Sequence, residues 1–151
     1  MPTDELQEFV DNPDETLETE YKSWLDLIND TEARADLARH IAALANFGGG
    51  RIVVGFTDAM TSAGANSFPG VLYDRDTVSG IVKRYLEPPF QCTVRTVTSK
   101  LHVEHPIIIV PPHGATPICA KASGPTVKGR PQGIVQGTYY HVSLVPRVLH
   151  F

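Results

Sequence analysis

The chain has 151 residues, of which 42% are hydrophobic and 20% are charged, and this balance predicts one globular domain rather than a disordered or fibrous chain. No run of about 18 apolar residues is present to cross a membrane, and the acidic start lacks a signal-peptide pattern. We therefore expect a cytoplasmic protein without a membrane partner. The two cysteines, Cys92 and Cys119, have no metal-type spacing and are expected to be reduced.

Charge is distributed unevenly along the chain. Residues 1–58 carry 13 acidic and 4 basic side chains, whereas residues 59–151 carry 4 acidic and 9 basic ones. A basic segment of this kind is typical of proteins that contact nucleic acid, although charge alone favours a solvated surface without a partner. The cations that we expect to contact phosphate are Lys83, Arg84, Arg95, Lys100, Lys121, Lys128 and Arg130.

The first predicted elements follow an acidic lead-in that covers residues 1–14. Over residues 17–25 charged side chains alternate with others, which predicts a strand whose charged face carries Glu18, Glu20 and Lys22.

An amphipathic helix is predicted next, with N-cap residues at 29–31 and Gly48 as the left-handed residue that ends it. The three glycines 48–50 thus lie at the negative end of a helix, where phosphate is repelled, and they are expected to turn the chain. A P-loop pattern is also missing, so no nucleotide cofactor is predicted. Residues 51–56 predict a buried strand, which Asp58 closes.

The second half of the chain predicts one more helix and a series of strands. Helix 74–86 has apolar side chains at helical spacing and projects Lys83 and Arg84 outward. The order β-α-β-α-β-β predicts an α+β domain with a mixed sheet. Four further strands are predicted, at residues 92–99, 106–112 (as a central strand), 118–122 and 138–145. A Gly/Pro loop with Lys128 and Arg130 separates the last two of them.

Acidic side chains cluster around the first two strands. Glu15 and Glu20 lie at the first strand and Asp58 closes the second, so the three carboxylates converge if these strands are neighbours. Such a group binds Mg²⁺ or Mn²⁺, which can activate water against a phosphodiester, with Lys22 near the reacting phosphate. The alternative is a solvated strand edge whose charges resist pairing with another chain.

Several segments resemble the Schlafen AlbA_2 domain, which occurs in many bacterial proteins and in Schlafen proteins. They are, in chain order, LETEYKSW, IAALANFGGGRIVVGFTD, FPG, PIIIVPP and TYYHV. Together they extend from about residue 15 to about residue 145. The resemblance implies a single domain over residues 15–151 with an Alba-like β-α-β-α-β-β core and additional C-terminal strands. It also implies nucleic-acid binding.

In the Schlafen branch, the resemblance further implies RNA cleavage by three carboxylates. These fall on Glu15, Glu20 and Asp58 of this chain, and the lysine of the motif falls on Lys22.

Three functions are left open by the sequence. The first is binding of DNA or RNA through the basic second half, as in a transcriptional regulator. The second is a metal-dependent endoribonuclease. The third is a protein-interaction or dimerisation domain, which would act as a homodimer or as part of a larger protein. A regulator of the kind described as ATP-binding belongs to this third alternative.

Overall fold

The computed structural model of this protein describes residues 5–142, which form a four-stranded sheet, two short strand pairs and three helices. The helices are α1 (Glu5–Asp11), α2 (Thr31–Phe47) and α3 (Arg75–Tyr85). The strands are β1 (Thr19–Lys22), β2 (Gly50–Val54), β3 (Leu86–Glu87), β4 (Thr93–Thr98), β5 (Glu104–Val110), β6 (Cys119–Ala120), β7 (Thr126–Val127) and β8 (Arg130–Pro131). No helix within this range is long and apolar enough to span a membrane.

The main sheet is mixed and has the strand order β1-β2-β5-β4. Strand β1 runs parallel to β2, whereas β5 pairs antiparallel with both β2 and β4. The apolar run Ile107–Val110 makes β5 a central strand, because side chains on both of its faces are buried. The α+β class is confirmed, and the predicted β-α-β-α-β-β order is found in β1, α2, β2, α3, β4 and β5, with α1 and the short β3 as additions.

Side chains alternate between two cores on opposite faces of the sheet. Ile52 and Ile108 pack with α2 and α3, whereas Val53 and Ile107 pack with Val10 of α1. Both faces are therefore covered, although α1 is much shorter than α2.

Helix α1 was not predicted, although Leu6, Phe9 and Val10 have the i, i+3, i+4 spacing of a short amphipathic helix. It is anchored to the sheet by three hydrogen bonds. The amide of Gln7 donates to the Thr98 carbonyl (2.8 Å), the Lys100 backbone N–H donates to the Asp11 carboxylate (2.7 Å), and the Tyr21 hydroxyl donates to the Phe9 carbonyl (2.7 Å).

The glycines after α2 have the structural role expected of them. Gly48 has φ 114° and ends the helix in the left-handed region, and the Gly49 N–H donates to the Leu44 carbonyl at 2.8 Å. A Cβ on Gly50 would collide with the Glu18 carbonyl oxygen. At the other end of the helix, the Asp30 side chain accepts from the backbone N–H of Ala33 at 3.0 Å, which confirms the predicted N-cap.

The C-terminal segments differ more from the prediction. Strand β6 is only two residues long and pairs with β3. Residues 138–142 are not a strand, and residues 143–145 of that predicted strand lie outside the described range. Instead, the Asn46 amide donates to the carbonyls of Ile118 and Tyr140, both at 2.9 Å, and accepts from the Ile118 N–H at 2.7 Å. A side chain of α2 thus joins these two segments, together with backbone hydrogen bonds of Ala120 to Gly137 and Thr138.

Candidate nucleic-acid interface

The four cations of the acidic first half are all engaged inside the fold. The Arg34 guanidinium donates to the Leu27 carbonyl at 3.1 Å. That of Arg51 donates to the Thr19 hydroxyl at 2.9 Å, and its carbon lies 4.5 Å from the centre of an aromatic ring of α1. The other two, Lys22 and Arg39, both bind one carboxylate of α2.

That carboxylate belongs to Asp36, and we call Lys22, Asp36, Arg39 and His40 the charged cluster. Lys22 Nζ lies 2.9 Å from Asp36 Oδ2, and the Arg39 guanidinium contacts Asp36 Oδ1. Arg39 also donates to His40 Nε2 at 3.2 Å, which assigns the ring proton of a neutral His40 to Nδ1. Nδ1 faces a carboxylate oxygen of Glu20 at 3.9 Å.

The cluster is held in one protonation state at neutral pH. Burial and the positive charge of Lys22 lower the pKa of His40 to about 3, which outweighs the opposite effect of Asp36. Burial of the Asp36 carboxyl opposes its ionisation, but the charges of Lys22 and a protonated His40, with hydrogen bonds from Arg39 and Lys22, hold its pKa at about 2. Because His40 is neutral above its own pKa, Lys22 and Arg39 keep Asp36 ionised at neutral pH.

The predicted catalytic residues lie in different surroundings. Glu20 and Lys22 share one face of β1, and both point toward α2. Asp58 is exposed in the turn after β2. Glu15 precedes β1 and lies near Tyr21. Burial raises the pKa of the Tyr21 hydroxyl, and the negative charge of Glu15 adds to this effect. The parallel pairing of β1 and β2 meets the condition for convergence.

The carboxylates do not, however, form a metal-binding group. Between residues 5 and 142 no three or more His, Cys, Asp or Glu side chains are placed to hold a metal ion. Glu15, Glu20 and Asp58 are therefore not gathered into one donor group in this arrangement, and the ammonium of Lys22 is already bound to Asp36.

All seven cations predicted to contact phosphate are exposed. Lys83 and Arg84 are in the last turn of α3, and the Lys121 backbone N–H donates to the Tyr85 carbonyl at 2.7 Å, which places Lys121 beside that helix end. Arg95 lies opposite Ile107 on the α1 face of the sheet. Lys100 is in the β4–β5 turn, and Lys128 and Arg130 are at the β7–β8 pair. The seven cations are therefore distributed over several separate elements.

Strands β7 and β8 form a hairpin where the sequence predicted a loop. Lys128 and Gly129 occupy its two-residue turn with φ 52° and 79°, and two positive φ angles are typical of a type I′ turn. Lys128 and Arg130 are exposed, and neither has an ion pair within residues 5–142.

The hairpin is fixed to α2 at its base. The Gly124 N–H donates to the Ile134 carbonyl at 2.9 Å, and a Cβ on Gly133 would lie 2.9 Å from the Ala35 methyl carbon. This close approach orients the hairpin relative to the charged cluster. An acidic cleft of about 500 Å³ lies near its base, lined by Asp30, Glu32, Asp36, Arg39 and residues 133–135.

The charged cluster was not predicted from the sequence. Asp36, Arg39 and His40 follow the i, i+3, i+4 rule, so their common face on α2 was available from the helix prediction. That this face meets Lys22 is a contact between residues 14 apart, which helical spacing does not predict.

Residues 15–131 match the family model described as Schlafen, AlbA_2. No curated protein matches the sequence significantly. The match covers most of the chain, including β1, α2, the three glycines, β2, the whole main sheet and the β7–β8 hairpin. The chain therefore belongs to the Schlafen AlbA_2 family of nucleic-acid-related domains.

Proposed function

We propose that this domain binds nucleic acid through phosphate contacts, with the hairpin cations Lys128 and Arg130 as principal contacts. One observation carries the proposal: the cations of the first half are bound within the fold, whereas these two are exposed and have no ion pair in the described residues. Membership of a nucleic-acid-related family supports it.

The two pairs of cations differ in how easily a phosphate can reach them. A phosphate that approached Lys22 or Arg39 would have to displace Asp36, whose pKa of about 2 keeps it charged at neutral pH. A phosphate at the hairpin tip displaces only water and counterions. The carboxylates of the cleft near the hairpin base repel phosphate, so contact is expected at the tip rather than at the base.

The test is the salt dependence of affinity for labelled single-stranded RNA and DNA, measured by fluorescence anisotropy. Replacing Lys128 and Arg130 together with Ala should make the slope of log affinity against log salt shallower by roughly 1 to 2 units, since each phosphate contact contributes about 0.7 to 0.9. The charge-conserving change of Lys128→Arg with Arg130→Lys is the matched control and should keep the slope. An unchanged slope in the alanine variant would exclude the hairpin from the interface.

We infer a second candidate, metal-dependent RNA cleavage, from the position of Glu20 and Asp58 on and just beyond two neighbouring parallel strands. If labelled structured RNA is cleaved with Mn²⁺, Asp58→Asn should abolish the cleavage and leave binding largely intact, because Asp58 would hold metal rather than phosphate. Asp76→Asn, which removes an exposed carboxylate of α3, is the control. Cleavage that survives both Asp58→Asn and EDTA would rule out the three-carboxylate mechanism.

A further inference from the structure

A second cleft, of about 610 Å³, lies where the loop before α3 meets the ends of β4 and β5. We call it the aromatic groove, because the largely buried rings of Trp24 and Tyr73 (8% and 9% exposed) border it with ring centres 5.7 Å apart. Both rings are fixed by hydrogen bonds of their polar ends. The Trp24 indole N–H donates to the Gly64 carbonyl at 2.9 Å, and the Tyr73 hydroxyl donates to the Leu25 carbonyl at 2.8 Å.

The rest of the lining combines an exposed apolar side chain with polar side chains that lack internal partners. Leu72 is 66% exposed. Thr98 and Glu104 are directly paired across β4 and β5, and Thr96 lies two residues before Thr98 on the same face. The side chains of Thr96, Thr98 and Glu104 make no hydrogen bond or ion pair within the part of the chain described here, so they are available to a ligand.

We propose that the aromatic groove holds one unpaired nucleobase, with a preference for bases that carry an exocyclic amino group. This inference rests on the proposed nucleic-acid binding and names the part of the ligand that the groove takes. A cleft of this size with apolar walls and a few polar groups suits a small flat ligand. The exposed Leu72 side chain gives a flat base an apolar surface to pack against, whatever the base is.

Charge decides which part of a nucleic acid fits. The lining contains the carboxylates Asp74 and Glu104 and no lysine or arginine, so it repels phosphate and accepts N–H donors. Adenine, cytosine and guanine present an amino group on their pairing edge, whereas uracil and thymine present an imino group and carbonyl oxygens. Lys100 belongs to the same β4–β5 turn as the groove residue His102 and is positioned to neutralise a phosphate outside it.

The chain contains a reporter for this site, because Trp24 is its only tryptophan. We expect short oligo-A and oligo-C strands to change Trp24 fluorescence on binding, and oligo-U to bind more weakly. An abasic strand of the same length, which keeps every phosphate, should bind with the same salt slope but leave Trp24 fluorescence unchanged. Binding of base-containing strands by anisotropy with no fluorescence change would overturn the base site and leave the phosphate contacts standing.

Two exposed leucines supply a matched pair of variants. Leu72 lines the groove, whereas Leu101, which is 69% exposed, does not. Leu72→Ala should weaken binding of oligo-A about tenfold, and Leu101→Ala should leave it unchanged. Equal affinities of the two variants would contradict the proposal, and would leave this groove to a partner other than nucleic acid.

A second variant tests the base preference without changing the shape of the groove. Glu104→Gln should bring the affinity ratio of oligo-A to oligo-U close to one, because the amide no longer offers a charged acceptor. A ratio that keeps its wild-type value would contradict the role of Glu104. If no strand binds at all, in anisotropy or in fluorescence, the proposed function fails together with this inference.

Discussion

The charged cluster and the β7–β8 hairpin each contain two cations, and they differ in what those cations contact. Lys22 and Arg39 share the carboxylate of Asp36, and the Lys22 side chain is only 14% exposed. Lys128 and Arg130 are exposed on a hairpin turn and have no acidic partner within residues 5–142. A cation can contribute to an interface only when it is not already paired within the fold. The net charge of a segment therefore does not tell how many of its cations are available to a ligand.

The pH dependence of stability should give the largest effect. The pKa of His40 is lowered to about 3 by burial and by Lys22, from 6.5 in a free side chain. In this pH range the unfolded chain therefore binds a proton on His40 that the folded protein does not bind. The free energy of unfolding should fall as the pH drops from 6.5 toward 3. The slope is at most about 1.4 kcal/mol per pH unit for one proton, so about 2 to 3 kcal/mol should separate pH 6.5 from pH 4.

Denaturant unfolding of wild type and His40→Gln across this range measures the effect. The variant should have a shallower slope, and His102→Gln, which changes an exposed histidine, should follow the wild type. Some slope should remain in the variant, because burial also lowers the pKa of His105. Below about pH 4 the lowered pKa of Asp36 adds a further loss of stability, which is complete only below about pH 2. Parallel slopes for His40→Gln and wild type would mean that His40 is not buried in its neutral form.

Removing the shared carboxylate should break the cluster directly. Asp36→Asn leaves Lys22 and Arg39 without their anion and should lower the free energy of unfolding at pH 7 by about 2 kcal/mol, less than for a fully buried pair. The control on the same helix is Glu32→Gln, an exposed first-turn acid that should cost only a few tenths of a kcal/mol. Urea unfolding measures both, and equal losses would show that the ion pairs add little to stability.

The smallest expected effect is at the hairpin. Replacing Lys128 and Arg130 with Ala removes two exposed cations without internal ion pairs, so the free energy of unfolding should change by less than about 0.5 kcal/mol. Thermal and urea unfolding of the double variant check this. A loss above 1 kcal/mol, about the size expected from a structural interaction, would mean that these cations are used by the fold after all.

Local features of the fold were predictable from sequence, and contacts between distant segments were not. The N-cap at Asp30 and the left-handed Gly48 depend on neighbouring residues only, and both were predicted. The same is true of the buried face of α3, which helical spacing defines. Asn46, by contrast, binds residues 72 and 94 positions away, and no local pattern indicates that its amide joins Ile118 to Tyr140.

The same division holds for the candidate site. The exposure of Lys83 and Arg84 followed from their positions outside the apolar stripe of α3. The partner of Lys22 could not be predicted from its position in the sequence, because it depends on how α2 is placed across β1. The turn Lys128–Gly129 was within reach of sequence analysis, since a glycine in a two-residue connection is a hairpin signal.

The hydrogen bonds of Asn46 have a consequence for limited proteolysis. They hold Ile118 and Tyr140 against the end of α2, and backbone hydrogen bonds of Ala120 with Gly137 and Thr138 close the same loop at its base. Trypsin cleavage after the exposed Lys128 would leave one new end on each side of this closure. The two fragments should therefore stay associated under native conditions and separate only on denaturation, which makes the hairpin turn a suitable place to insert a tag or a label.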